Sequence, residues 1–107
     1  MLIKKNMKPI ELEKHKGNFF KVLSETDKSQ IAVMTIEPGS DSGPEDIHPG
    51  DQIVYVIEGE AEIELEIKKV ELKKGMVFTI PSGAKHHIYN RGTEDLFILC
   101  IYTPPAY

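Results

Sequence analysis

Gly75-Met76-Val77-Phe78-Thr79-Ile80-Pro81-Ser82-Gly83-Ala84-Lys85-His86-His87-Ile88-Tyr89-Asn90 is the stretch that decides how this chain folds. Met76 to Ile80 is a run of strand formers, and Pro81, which has no N–H to offer a ladder, ends it. Pro81-Ser82-Gly83 predicts a tight turn. The strand resumes from Lys85 to Tyr89. Its two-residue period sets His86, Ile88 and Asn90 on one face and His87 and Tyr89 on the other. A second stretch of the same build lies upstream, Gly43-Pro44-Glu45-Asp46-Ile47-His48-Pro49-Gly50-Asp51-Gln52, followed by Ile53 to Glu58 and Gly59. Each stretch has a His at a strand edge, a Gly or Pro turn and a run of strand formers. If the two meet in space, they gather His48, Gln52, His86 and one or more carboxylates, which is a donor set for a metal.

Outward from these stretches the pattern stays β. Phe19 to Leu23 and Gln30 to Ile36 read as strands, joined by the polar loop Ser24 to Ser29. Pro9 to Leu12 reads as a short extended piece. Pro38 to Pro44 is dense in breakers and leads straight into the first stretch, so it is expected at the mouth of the site. Ile53, Tyr55 and Ile57 alternate with Val54 and Val56. Both faces of that strand are apolar, and it needs cover from a second sheet or another subunit. Gly59-Glu60 reads as a hairpin turn. Ala61, Ile63, Leu65 and Ile67 then alternate with Glu62, Glu64 and Glu66, as in a strand with one wet face. Val70 to Leu72 and Leu96 to Tyr102 complete the strands, and Pro104-Pro105 stops the last one. The expected total is nine or ten short strands, with no 3.6-residue apolar repeat. That pattern fits a small antiparallel sandwich or barrel.

The chain of 107 residues is expected to be one domain with one core. Its net charge is −4, without a basic cluster, which argues against nucleic acid as a partner. No apolar run approaches the ~20 residues needed to cross a membrane. Met1 to Asn6 lacks the apolar core of a signal peptide. The single cysteine, Cys100, allows no internal disulfide. Together these place the expected location in the cytoplasm.

The two stretches resemble the motifs of the cupin family. The family's first motif has two His in an H-x-H arrangement, an acid three or four residues later and a Gly after six more. Asp46, His48, Gln52 and Gly59 stand at those positions. The second His and the Gly match, Asp46 replaces the first His, and Gln52 replaces the acid. The family's second motif is Gly, five residues, Pro-x-Gly, two residues, His, three residues, Asn. Gly75, Pro81, Gly83, His86 and Asn90 match it throughout. The resemblance implies an all-β double-stranded β-helix, a jelly-roll cupin barrel. It would comprise one domain over residues 1–107, with the first motif at about 43–59 and the second at about 75–90.

The resemblance also implies a metal held by His48 and His86, with Gln52 at the acid's position and Asp46 at the first His's. Two imidazoles, one carboxylate and one amide lean toward Fe, Mn, Co, Zn or Ni as a divalent ion, and away from a thiolate-loving one. Glu45 is the backup carboxylate. Asp51 lies one residue off the face of Gln52. His87 is turned from His86 by strand alternation and reads as a surface or interface residue. Tyr55, Tyr89 and Tyr102 read as core, and Cys100 as a small buried hydrophobe rather than a reactive thiol.

Two functions fit. One is a metal-dependent enzyme, oxygenase- or isomerase-like, acting on a small oxygen-rich molecule that chelates the ion. The other is a non-catalytic module that binds or senses a small ligand in the same barrel. What separates them is a proton-transfer group beside the metal, for which Glu45, Asp46, His87 and Tyr102 are the candidates. A homodimer is expected in either case, from the doubly apolar strand and from the family's habit.

Overall fold

The computed structural model describes residues 8–107. The leader-free reading of Met1 to Asn6 falls outside them. Eight strands form two antiparallel sheets: β1 (Lys21–Glu25), β2 (Gln30–Ile36), β3 (Asp51–Glu58), β4 (Glu60–Leu65), β5 (Lys69–Lys73), β6 (Val77–Ile80), β7 (His86–Tyr89) and β8 (Leu96–Thr103). The larger sheet has the order β1-β2-β8-β3-β6, and the smaller the order β5-β4-β7. The described residues contain no α-helix, only a 3₁₀ turn at Leu12–His15 where the sequence reads as extended. No helix among them is long and apolar enough to cross a membrane.

The inward faces follow the two-residue period. Ala32, Met34 and Ile36 of β2, Leu96, Ile98, Cys100 and Tyr102 of β8, and Val54 and Val56 of β3 form one wall of the core. Ala61 and Ile63 of β4, Leu72 of β5 and Ile88 of β7 form the other. Each fully buried aliphatic here contributes about 1.5–3 kcal/mol relative to exposure. The core therefore lies between the sheets, as in a flattened barrel.

Three expectations need correction. Gly59 does not make a hairpin: β3 lies in the larger sheet and β4 in the smaller, so the chain changes sheets there. Gly59 has φ of 86°, and a Cβ on it would come within 2.6 Å of the Asp95 carbonyl oxygen. The corner is tight because the residue is glycine. Ile67 does not continue β4; it stands 91% exposed at the tip of the β4–β5 turn, which the hydrogen bond from Leu65 N to Lys68 O closes around Glu66 and Ile67. Among the described residues the strand count is eight, since Pro9 to Leu12 adds none.

One irregular segment matters for the site. The breaker-rich loop runs along the free edge of β7. Gly39 N donates to Asn90 O, Ser42 N donates to Ile88 O, and Asp41 bridges to Tyr89. At the end of this run Asp46 and His86 exchange two backbone hydrogen bonds, each of 2.9 Å. The first motif is thereby laid directly beside the second.

Candidate metal centre

Each imidazole is placed by backbone geometry. His86 opens β7 and faces inward, paired across the ladder with Leu65. His48 lies in the loop before β3, and its carbonyl accepts from Gly83 N at 2.8 Å, which ties it to the turn preceding His86. Gln52 is the second residue of β3 and points into the barrel opposite Ile80 and Tyr102. His48, Gln52 and His86 are all buried, with 8%, 3% and 4% of their surface exposed. The His48 and His86 rings lie 5.2 Å apart, centre to centre.

The hydrogen bonds prepare donors. His86 Nδ1 lies 3.0 Å from the Ala84 carbonyl oxygen, so Nδ1 carries the proton and the Nε2 lone pair is left open. Burial holds His48 below its ordinary pKa of 6.5, against the pull of Asp46, so its neutral form is favoured. Gln52 Nε2 stands 3.5 Å from Cys100 Sγ, while Gln52 Oε1 is buried without a hydrogen-bond partner among the described residues. An orphaned buried carbonyl is costly, by about 1–3 kcal/mol, and its partner would be a water, a ligand or an ion. Cys100 is a free thiol, fully buried, and burial pushes its pKa up to about 11. It is no nucleophile.

Asp46 lies outside the named strands, in the isolated bridge opposite His86. Its side chain is 47% exposed. Oδ1 accepts from Ile47 N at 2.8 Å, and Oδ2 accepts from the Tyr107 hydroxyl at 2.8 Å. Burial works against its charge, but these two donors and the nearby imidazoles hold the carboxyl below its usual pKa. Asp46 Oδ2 and His48 Nε2 are 3.6 Å apart. That is too long for a strong hydrogen bond, and close to the roughly 3.4 Å between two donors on a tetrahedral ion with ~2.1 Å bonds.

The remaining candidates lie elsewhere. Glu45 lines a surface hollow with Glu64, Glu66 and Lys69. Asp51 accepts from Ser82 N at 3.0 Å and supports the turn before His86. His87 faces the outside of the smaller sheet, with Nε2 3.3 Å from Asp41 Oδ1 and Nδ1 3.0 Å from the Tyr89 hydroxyl. Of the tyrosines, Tyr102 is core at 2% exposure, while Tyr55 is 38% exposed and Tyr89 half-buried.

Tyr107 is the site residue that the sequence conceals. It reads as a tail after two prolines, with no local pattern to mark it. Its ring stands edge-on to His48 and Tyr102, at 5.4 and 5.2 Å, and its hydroxyl is 3.5 Å from His48 Nε2. Phe20 packs on it at 4.8 Å.

The donor set suits a divalent ion with the help of the amide. Among the described residues no three His, Cys, Asp or Glu side chains form a metal-holding group by themselves. The donors offered here are the Gln52 amide oxygen, the two imidazoles of His48 and His86, and the Asp46 carboxylate. The set is weaker in charge at Gln52's position than a carboxylate would be.

Comparisons with known proteins agree with this architecture. An uncharacterized protein of Methanocaldococcus jannaschii is 33% identical over 78 residues, covering 73% of this chain and 62% of its own length. This chain thus spans less than two thirds of that relative. A crystal structure from Bacillus halodurans superposes with a TM-score of 0.83 at 26% identity, covering 99% of this chain and 89% of the other. A structure described as a predicted oxalate decarboxylase from Thermotoga maritima is 34% identical, with a TM-score of 0.66, covering 73% of this chain and 69% of the other. The profile of the cupin domain matches residues 32–102, from the second strand to the last. With two thirds of its length under that profile and both sheets of the barrel in place, this chain belongs to the cupin family.

Proposed function

We propose that this chain is a small metal-binding cupin and an enzyme, oxygenase- or isomerase-like, on a small oxygen-rich substrate. His48, His86, Gln52 and Asp46 hold the divalent ion. The observation that carries this reading is the buried, partnerless Gln52 Oε1 in the same interior as two imidazoles. A bound divalent ion supplies a positive centre that polarises substrate oxygens. The protein's share is positional: Ala84 O orients the His86 ring, Gly83 N fixes the His48 backbone, and the Tyr102 and Tyr107 rings pack edge-on against the His48 ring. The likeness to the Thermotoga protein makes small carboxylates, oxalate first, the substrates to try.

The test is elemental analysis of purified protein, native and after incubation with Fe(II), Mn(II), Co(II), Zn(II) or Ni(II), beside a His48→Ala/His86→Ala variant. About one ion per chain is expected, lost in the variant. No ion under any of these conditions would sink the metal reading.

A second reading, a non-catalytic ligand-binding or sensing module, is favoured by one observation. No candidate base stands free in the site. Glu45 and His87 face elsewhere, Asp46 is engaged on both oxygens, and burial pushes the Tyr102 hydroxyl to a high pKa. Calorimetric binding of oxalate without turnover by the loaded protein would select it.

We also propose that the chain forms a homodimer through the outer face of the larger sheet. Ile53, Tyr55, Ile57, Val77, Leu99 and Ile101 share that face and are half-buried or exposed, an apolar surface that a second copy would cover. Sedimentation equilibrium should give twice the 12.1 kDa chain mass, and a Tyr55→Glu variant the single mass. A monomeric parent chain overturns the proposal.

A further inference from the structure

The Tyr107 hydroxyl is aimed at the candidate metal centre by a residue far from it. Gln30, at the start of β2, is 1% exposed, and both ends of its amide bond the main chain at residues 106 and 107. Its Oε1 accepts from Ala106 N at 3.2 Å and from Tyr107 N at 3.0 Å, and its Nε2 donates to Tyr107 O at 2.7 Å. Nε2 also donates to Glu25 Oε1 at 2.8 Å, which fixes the rotamer of the amide. A buried amide satisfied on every side has one low-energy pose, so the backbone it grips has one as well. Tyr107 can then reach only where its side chain leads. It crosses the mouth of the site between Phe20 and Tyr102 and ends on Asp46.

We infer that Tyr107 is a positioning residue for the metal centre, acting through Asp46 and itself set by Gln30. This rests on the metal reading above. Asp46 is the most exposed member of the proposed ligand set, so without help its carboxylate rotates freely into solvent. Ile47 N fixes Oδ1 and the Tyr107 hydroxyl fixes Oδ2. With both oxygens held, Oδ2 remains 3.6 Å from His48 Nε2, at donor-to-donor spacing. Partners that orient a ligating group in this way typically change metal affinity 10–100-fold when removed.

The experiment is Co(II) binding, followed by calorimetry and by the visible d–d absorption of the bound ion. Tyr107→Phe keeps the ring and its packing and removes only the hydroxyl. It should bind Co(II) about tenfold more weakly, with a shifted absorption band. Gln30→Leu, more than seventy positions away in sequence, should weaken binding in the same sense. In an Asp46→Asn background the Tyr107→Phe change should have no further effect, because the two act through one carboxylate. If the parent chain binds Co(II) and Tyr107→Phe binds it equally well or more tightly, the inference falls and the metal reading stands. If Tyr107→Phe weakens binding equally with and without Asp46, Tyr107 acts by another route and the inference again falls. No uptake by the parent chain overturns both readings.

Discussion

The two motif regions of this cupin follow their family's pattern to different degrees, and the structure explains why. In the second, Gly75 to Asn90, most matching residues build the scaffold. Gly75 and Gly83 sit in turns with φ of 86° and 78°. Asn90 is 1% exposed and knits three chain segments: Nδ2 donates to Ile36 O and to Glu94 O, each at 2.8 Å, and Oδ1 accepts from Gly92 N at 2.9 Å. Only His86 of this set faces the site. In the first, Gly43 to Gly59, the departures Asp46 and Gln52 both face or border the site, while the retained Gly59 turns the chain between sheets. Matched positions mostly hold the barrel, and the altered ones sit at the proposed metal centre.

The largest effect that tests this division is on stability. Asn90→Ala leaves the buried Ile36 carbonyl and the part-buried Glu94 carbonyl and Gly92 amide without their partner, at about 1–3 kcal/mol for a buried group left unpaired. A loss of about 3 kcal/mol in urea unfolding is expected. A loss below 1 kcal/mol would mean that Asn90 is not scaffold and that the contrast fails. A smaller effect probes the other motif. Gln52→Glu restores the acid that the family carries. It should raise Co(II) or Mn(II) affinity about tenfold, equivalent to ~1.4 kcal/mol, because the donor gains a full charge. The metal-free variant should melt below the parent, since a carboxylate would be buried unpaired, and added metal should reverse the loss. Unchanged affinity would show that position 52 does not touch the ion.

The sequence disclosed this architecture unevenly, for physical reasons. Strands with strict alternation, such as β4, and strands ended by Pro81 or by Pro104 were legible because local geometry dictates them. His48, Gln52 and His86 were singled out by the resemblance to the family's motifs, and the structure buries all three. Sheet membership was not legible at Gly59, because a tight hairpin and a corner between sheets ask for the same glycine. Ile67 was misplaced because alternation continues in the sequence beyond the point where β4 loses its partners. Asp46 gave no local sign of the main-chain pairing that seats it. Its true setting, a single bridge, depends on β7 across from it. Tyr107 and Gln30 were hidden entirely. Their link is a long-range hydrogen-bond clamp, and neither residue is unusual in its own neighbourhood.

The bridge between Asp46 and His86 has a wider consequence. The two residues exchange only main-chain N–H and C=O groups, and these are common to almost every amino acid. The fold therefore delivers position 46 to the rim of the site whatever side chain it bears. A lineage carrying this bridge can trial imidazole, carboxylate or amide there without relearning how to fold. Asp46 is one setting of an adjustable position, and the barrel is indifferent to the choice.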